Sequence, residues 1–360
     1  MVAENSQEER PPMDVARSAE TGPRIDTLHR DASALRAWGV TEGAAGMVSQ
    51  VRGIAQAVGL PYELRDITLR MPWRKMWPGW IPRTASIFRN RQLIEDDAPP
   101  RLLVTCGRQA VMTALCLKKS FGDRVFTVHV QDPKISPKLF DLVIAPEHDG
   151  LVGPNVIQTR GAVHHVTADV LESAAASAAA KPLISLGQKF IAVLIGGPNR
   201  YFDVSVESLT PLVHKLHNAT RTTGKRLAIL PSRRTPSDVV TFLEAEFGKS
   251  HLVWTGQGPN PYLAALALCS HVIVTGDSIS MMTEATATGR PVFVEYLPER
   301  RRARRFHRFY ESLSQAGVTR PFVGLLPHWT YEVRQDTATV AQIIRDRIGI
   351  SHVTPERVAA

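Results

Sequence analysis

Residues 272–284 read VIVTGDSISMMTE and place several ligand-binding groups one after another. A buried strand runs into Asp277, and a helix follows for which Ser278 or Ser280 can serve as the N-cap. The N–H groups at a helix start attract phosphate, and Glu284 lies four residues after Ser280, where its carboxylate can accept hydrogen bonds from a ribose diol. A plain capped helix with a surface glutamate has the same pattern, so this segment alone leaves both interpretations open.

Two more polar turns follow strands in the same half of the chain. Gly196 and Gly197 come after FIAVLI, and paired glycines let a phosphate approach the backbone closely. Arg233 and Arg234 come after RLAIL, and a guanidinium pairs with phosphate oxygens in a planar fork. An ordinary tight turn and a solvated basic turn remain open, although the glycine pair gains significance because the Asp277 segment lies in the same half of the chain.

Candidate acid–base groups follow two strands of the first half. Asp132 comes after VFTVHV, and His148 and Asp149 come after DLVIA. Each could transfer a proton if it points into a cleft. Aspartate is also an ordinary turn and capping residue, so a structural role stays open for all three.

Short apolar runs alternate with helical spacing in two consecutive series, which begin near Leu35 and near Phe190. Strands separated by helices are typical of a parallel sheet with crossover helices. The predicted fold class is therefore α/β, with two Rossmann-like, doubly wound parallel-sheet domains. Because ligands of such sheets bind outside the carboxyl ends of the strands, we expect the polar turns to face each other across a cleft.

The predicted domain boundaries follow changes in composition along the chain. Polar, proline-punctuated residues predict a disordered tail at the start, and an Ala- and Ser-rich stretch predicts a linker between the two series. The five predicted regions are a tail (1–33), an N-terminal domain (34–166), a linker (167–189), a C-terminal domain (190–335), and a closing helix with a tail (336–360).

The composition is that of a globular protein. The chain has 360 residues, 44% of them hydrophobic and 21% charged, and no apolar run reaches the length of a spanning helix. Its three cysteines form no C-x-x-C pair, which favours reduced thiols and a cytoplasmic location. His148, Asp149, His164 and His165 include no helical i, i+4 pair of the kind that binds a metal, so we predict no metal.

The net charge of +9 is concentrated in one run. Residues 299–308 carry six arginines and one glutamate, which disfavours a uniformly basic nucleic-acid-binding surface. A solvated helix start is one interpretation. The other is contact with an anionic membrane surface, at the inner face of the membrane, or with a phosphorylated acceptor. The residues concerned are Arg300, Arg301, Arg302, Arg304, Arg305 and Arg308.

Seven ordered motifs resemble the mitochondrial-fission ELM ("elongated mitochondria") family, and short loops without a presequence are more similar to its bacterial members. The resemblance covers roughly Trp38 to Arg347. The motifs are GRQA (107–110), QDP (131–133), FDLVIAPEHD (140–149), GGPN (196–199), SRRTP (232–236), GPNPY (258–262) and VTGDSISMMTEATATGRPV (274–292).

That family is similar in architecture to GT-B glycosyltransferases, so the resemblance implies two Rossmann-like domains and a nucleotide held by the second one. Matched by position, Ser278 and Ser280 would contact a diphosphate, and Glu284 a ribose. Gly196 and Gly197 would match the loop that opens the second GT-B domain.

The resemblance implies a glycosyltransferase that uses a nucleotide-sugar as co-substrate and needs no bound cofactor or metal. The first domain would hold the acceptor near Gly43, Gly46 and Arg108, and one of the three acid–base candidates would deprotonate it. The patterns of a hydride-transferring epimerase, G-x-x-G-x-x-G and Y-x-x-x-K with a fitting serine, do not occur. Since plant members of the family are implicated in recruiting a dynamin-related protein, the alternative is a non-catalytic adaptor for a membrane-remodelling or cell-envelope partner.

Overall fold

The computed structural model describes residues 35–350, apart from 94, 96, 97 and 188, so the predicted N-terminal tail lies outside the described residues. Within them, the first half forms a parallel sheet in the order β2-β1-β3-β4-β5-β6. Its strands are β1 (Ala37–Thr41), β2 (Tyr62–Asp66), β3 (Leu102–Cys106), β4 (Phe126–Val130), β5 (Leu142–Pro146) and β6 (Val156–Thr159).

The second half forms another parallel sheet, in the order β12-β11-β10-β7-β8-β9 across the described residues. Its strands are β7 (Ile191–Ile195), β8 (Leu227–Pro231), β9 (Leu252–Val253), β10 (His271–Thr275), β11 (Val292–Glu295) and β12 (Thr319–Pro321).

Helices connect the strands and cover both sheets. Short 3-10 turns lie between some of them, including four within residues 73–93 and one at Glu147–Asp149. The α-helices are α1 (Ala45–Val58), α2 (Ala110–Phe121), α3 (Ala168–Ala175), α4 (Lys181–Ile184), α5 (Val206–Thr223), α6 (Ser237–Phe247), α7 (Tyr262–Leu268), α8 (Ile279–Thr286), α9 (Arg304–Gln315) and α10 (Asp336–Ile348).

Strand β3 illustrates why the first sheet is covered on both faces. All five of its residues are buried, and its side chains alternate between two apolar clusters, with Leu103 in one and Leu102 and Val104 in the other. Successive side chains of a strand point to opposite faces, so a strand that is buried along its whole length requires helices on both sides. The prediction of doubly wound α/β domains is confirmed.

The last helix returns to the first domain. The apolar face of α10 contributes Val340, Ala341, Ile344 and Ile348 to the cluster beneath α1. Arg345 donates a hydrogen bond to the carbonyl of Ala57 at the end of α1. The first domain is therefore completed by a helix that follows the whole second domain in sequence.

The segment predicted as a linker, residues 167–189, contains α3 and α4 joined by the turn Ala178–Ala180. In the part of the chain described here, no helix is both long enough and apolar enough to cross a bilayer.

Candidate functional site

The predicted binding residues follow β1, β3, β7, β8 and β10, around the points where the strand order of each sheet reverses, whereas the acid–base candidates follow β4 and β5. In the first sheet the chain runs from β1 outward to β2 and then returns to β3 on the other side of β1. In the second sheet β7 has β8 on one side and β10 on the other. Turns that leave neighbouring strands in opposite directions open a crevice at their carboxyl ends, where ligands of such folds bind.

Helix α8 begins at the carboxyl end of β10 and faces the first domain. Ser278 is its N-cap, and the Ser278 hydroxyl accepts a hydrogen bond from the Met281 N–H at 3.4 Å. Ser280, the second residue of α8, lies against Gly46, the second residue of α1, since a Cβ placed on Gly46 would be 2.8 Å from Ser280 Oγ. The two helix N-termini therefore meet across the cleft, and neither has an acidic residue in its first turn.

Glu284 is buried in the cleft between hydroxyl groups from both domains. Ser49 on α1 donates to its Oε1 at 2.5 Å, and Tyr262 on α7 donates to its Oε2 at 2.6 Å. Ser49 Oγ is also 2.8 Å from Nδ1 of His165. Burial raises the pKa of Glu284, although the two hydroxyl donors act in the opposite direction. The carboxylate thus already accepts two hydroxyl hydrogen bonds.

Asp277 is the centre of a second network that holds three turns together. Its Oδ2 accepts from the Gly197 N–H at 3.0 Å and from Arg234 Nη2 at 3.3 Å, and its Oδ1 accepts from Thr275 at 2.7 Å. Burial raises its pKa, and these hydrogen bonds oppose that shift. A Cβ on Gly196 would lie 2.0 Å from Asp277 Oδ2, so this glycine makes room for the carboxylate.

The remaining predicted binding residues lie around the same cleft. Arg233 reaches across it and donates to the carbonyl of Gly43 at 3.3 Å. A Cβ on Gly197 would collide with the backbone of Arg234, so the space beside Gly197 is filled by protein. Arg108 follows β3, is exposed, and donates to the carbonyl of Arg74.

The three acid–base candidates form a second cluster, at the ends of β4 and β5. Asp149 Oδ1 is 2.6 Å from Arg305 Nε of the opposite domain, and Asp132 Oδ2 is 2.5 Å from Lys134 Nζ. Burial raises the pKa of Asp149, whereas the pKa of Asp132 is lowered because its hydrogen bonds with Lys134 outweigh its burial. The pKa values of the two carboxyl groups are therefore shifted in opposite directions.

His148 is enclosed in the same cluster. Its ring packs edge-on against Phe309 of α9, with ring centroids 5.1 Å apart, and neither ring nitrogen has a hydrogen-bond partner. Burial, and then the charges of Arg305 and Arg308, lower its pKa to about 3. The imidazole is neutral at physiological pH.

A family model described as Mitochondrial fission ELM1 matches residues 45–348. The chain belongs to this family. The resemblance inferred from the seven motifs is thereby confirmed.

Two relatives of this ELM1-family chain differ in the extent of their similarity. The Mitochondrial fission protein ELM1 of Arabidopsis thaliana is 31% identical over 283 residues, which are 71% of this chain and 65% of that protein. The chain thus spans just under two thirds of the plant relative's length. The Rickettsia prowazekii (strain Madrid E) protein RP120, which is described as uncharacterized, is 26% identical and matches 87% of this chain and 99% of its own length.

The fold is similar to that of a solved enzyme. The UDP-GlcNAc 2-epimerase of Methanocaldococcus jannaschii, in complex with UDP-GlcNAc and UDP, superimposes with a TM-score of 0.50 over 87% of this chain and 99% of that chain. The sequence identity is 10%, so the likeness shows the fold alone. The GT-B-like architecture predicted for this ELM1-family chain is confirmed.

Two arginines of the run in this family member form ion pairs. Arg300 pairs with Asp203 within the second domain, and Arg305 pairs with Asp149 across the cleft. The other four side chains are exposed, at Arg301, Arg302, Arg304 and Arg308. Across the described residues no group of three or more His, Cys, Asp or Glu side chains could hold a metal ion.

The sequence did not reveal Ser49 as a partner of Glu284, nor His165 as a partner of Ser49. One signal was present, because Ser49 lies three residues after Gly46 on α1 and hence on the same helix face. Tyr262 was named only as the last residue of the GPNPY motif, and Arg305 only as one of six arginines. Their partners are distant in sequence, so no local pattern pointed to them.

Proposed function

We propose that the interdomain cleft binds a nucleotide-sugar and that the protein transfers the sugar to an acceptor held by the first domain. The observation that carries the proposal is the meeting of the two helix N-termini, at Gly46 and Ser280, over the points where both sheets reverse strand order. The likeness to an enzyme solved with UDP-GlcNAc supports a fold suited to such ligands and no particular reaction.

Electrostatics favour a diphosphate between α1 and α8. Each helix N-terminus carries about half a positive charge, so two facing N-termini repel each other unless an anion lies between them. Arg233 adds a full positive charge beside Gly43 at the same opening. Ser278 and Ser280 supply hydroxyl groups on the α8 side. Domain opening would admit the ligand, and closure would exclude water around it.

Glu284 has the chemistry needed to hold a ribose. Both of its carboxylate oxygens accept hydrogen bonds from hydroxyl groups, as they would from the two hydroxyls of a ribose. One of these donors, Ser49, belongs to the opposite domain and leaves when the cleft opens. The nucleoside would then take the place of Ser49.

Asp149 is the acid–base candidate best suited to deprotonate an acceptor hydroxyl. A base is more effective when its pKa lies nearer to the working pH, and burial moves the pKa of Asp149 upward. The pKa of Asp132 is lowered, which makes it a weaker base. His148 has both ring nitrogens enclosed and is held neutral.

Calorimetric titration with UDP-, GDP- and CMP-sugars tests the proposal. We expect one donor class to bind and Glu284→Gln to weaken it by about 1–3 kcal/mol, because one hydroxyl of the ribose loses its charged acceptor. Asp149→Asn should abolish transfer, measured as nucleotide release with acceptor present, and leave donor affinity unchanged.

Glu295→Gln is the matched control, since Glu295 is also a buried carboxylate of the second domain but is bonded to Lys215. Its donor affinity should equal that of the unmodified protein. Absence of binding by every nucleotide-sugar contradicts the proposal, as does equal weakening by Glu284→Gln and Glu295→Gln.

A non-catalytic adaptor is the second candidate. One observation favours it, because Glu284 and Asp277 already have internal hydrogen-bond partners and need no ligand to satisfy them. An adaptor would bind its partner equally well with Glu284→Gln, measured by pulldown, while no nucleotide-sugar would shift its melting temperature.

A further inference from the structure

Residues 67–93 form a basic and tryptophan-rich surface, here called the Trp–Arg loop. The segment carries six basic residues and no acidic one, at Arg70, Arg74, Lys75, Arg83, Arg89 and Arg91, and all six are exposed. The whole-chain charge conceals this concentration because acidic residues elsewhere offset it. Three of the chain's six tryptophans, Trp73, Trp77 and Trp80, lie in the same segment.

The Trp–Arg loop is held firmly at its base. Leu69 and Phe88 form an antiparallel bridge, and the Arg70 N–H donates to the Ile87 carbonyl at 2.8 Å. Both bridge residues are buried in the core of the first domain, as is Ile81 near the middle of the loop. The loop therefore presents its remaining side chains on a fixed framework.

Large apolar side chains of this loop face solvent. Trp80 is 77% exposed, Met71 54% and Trp77 47%, whereas Trp38 in the same domain is fully buried. Exposing apolar surface of this size is unfavourable in water and typically marks a binding surface. Tryptophan with its polar N–H and basic side chains with long apolar stems both suit the boundary between lipid headgroups and acyl chains.

The loop borders the acceptor side of the cleft. Arg108, which follows β3, donates to the carbonyl of Arg74, and a Cβ on Gly79 would lie 3.9 Å from Ile135, three residues after Asp132. We infer that the Trp–Arg loop docks the protein on an anionic lipid bilayer, with Trp77 and Trp80 inserted among the headgroups. The inference goes beyond the proposed function and does not depend on a nucleotide site.

Vesicle co-sedimentation tests this docking without any nucleotide. We expect the full chain to bind vesicles of phosphatidylglycerol and phosphatidylcholine at low salt and to bind pure phosphatidylcholine at least about tenfold more weakly. Trp77→Ala with Trp80→Ala should weaken binding to anionic vesicles by roughly tenfold or more, because both inserted rings are lost. Val323→Ala with Leu325→Ala, at exposed apolar positions of the second domain, is the control and should bind normally.

Two triple variants of equal charge separate this loop from the arginine run. Replacing Arg74, Lys75 and Arg83 by Gln should weaken anionic-vesicle binding by roughly a hundredfold, since each basic residue near the surface contributes independently. Replacing Arg301, Arg302 and Arg304 by Gln should have a smaller effect. An equal or larger loss in the second variant would overturn the assignment, as would failure of the unmodified chain to bind.

Tryptophan fluorescence supplies a readout that overall charge does not control. Insertion of Trp77 and Trp80 should shift emission to shorter wavelength and allow quenching by lipids brominated on their acyl chains. Trp77→Phe with Trp80→Phe should remove that response while most of the binding remains. A response that persists in this variant would show that other tryptophans meet the bilayer and would refute the proposal.

Discussion

Ser49 occupies the oxygen of Glu284 that a ligand hydroxyl would need, and it comes from the opposite domain. Under the proposed function, this contact would couple nucleoside binding to cleft opening at a single carboxylate. His165 adjoins Ser49 and belongs to the first domain as well, so both groups withdraw together. We expect the affinity for a nucleoside to rise when the Ser49 hydroxyl no longer competes for Glu284, because the carboxylate would then lack one of its two hydroxyl donors.

His148 gives the protein a measurable pH dependence at the residue scale. Its pKa falls from 6.5 to about 3 on folding, through burial and through Arg305 and Arg308, so the folded state resists its protonation. Its contribution to stability is full above pH 6.5 and is lost as the pH falls toward 3, because the unfolded chain binds the proton more tightly.

We predict that His148→Phe flattens this dependence. Between about pH 7 and pH 5, the unmodified protein should lose about 2 kcal/mol more unfolding free energy than the variant, as measured by urea denaturation at each pH. Asp149 faces the same ring and remains in both proteins, so its titration cancels in the comparison to first order. Identical dependence of the unfolding free energy on pH in the two proteins would contradict the conclusion that His148 is buried and neutral.

The contacts of helix α8 with the first domain all lie on one face of the helix. Ser280, Thr283 and Glu284 are spaced by three and four residues, which places them on the same side of a helix. Ser280 meets Gly46, the Thr283 hydroxyl lies 3.4 Å from the Ala162 N–H, and Glu284 meets Ser49. The position of α8 therefore determines how closely the two domains approach each other.

Gly161→Ala should push α8 away from the first domain. A Cβ at Gly161 would lie 2.7 Å from the Thr283 methyl group, and such crowding costs roughly 1–3 kcal/mol. We expect a larger radius of gyration by small-angle X-ray scattering. Thr283→Ser removes that methyl and should restore the compact form in the double variant. Gly153→Ala, whose added Cβ would lie nearest to the side chains of Asn155 and Val156 in the first domain, should leave the radius unchanged.

Periodicity and turn residues were sufficient to predict most of the elements. The helix predicted after Asp277 is observed at Ile279–Thr286, and the strand predicted at FIAVLI is observed at Ile191–Ile195. No element was predicted over residues 70–93 of the Trp–Arg loop, because short 3-10 turns have no sustained period. Pairing of Ser49 with Glu284 was not predictable either, since 235 residues separate them and no local pattern records such a contact.

At the scale of the whole molecule, the two domains share elements. Helix α10 follows the second domain in sequence and packs on α1 of the first. Thr337 accepts from the His164 N–H at 3.1 Å, so the start of α10 is fixed as well. The chain passes between the domains twice, once before β7 and once before α10. Any opening of the cleft must therefore occur by bending at these two connections.

Ile344→Ala should destabilise the first domain although it lies after the second in sequence. Ile344 is fully buried in the cluster with α1, and its truncation should cost about 2–4 kcal/mol. Urea unfolding followed by circular dichroism measures the loss. Asp346→Ala, on the exposed side of α10, should change stability by less than about 0.5 kcal/mol. Comparable losses in both variants would refute the packing described for α10.

The return of α10 also has a consequence during synthesis. Translation proceeds from the N-terminus, and domains generally fold as they emerge from the ribosome. The first domain emerges first, but its α1 face stays uncovered until the last helix has been made, after more than 150 further residues. Val51 and Ile54 belong to that face, so the nascent chain carries an unfinished apolar surface through most of its translation. Shielding of this surface, by a chaperone or by the ribosome itself, becomes part of how the protein reaches its native state.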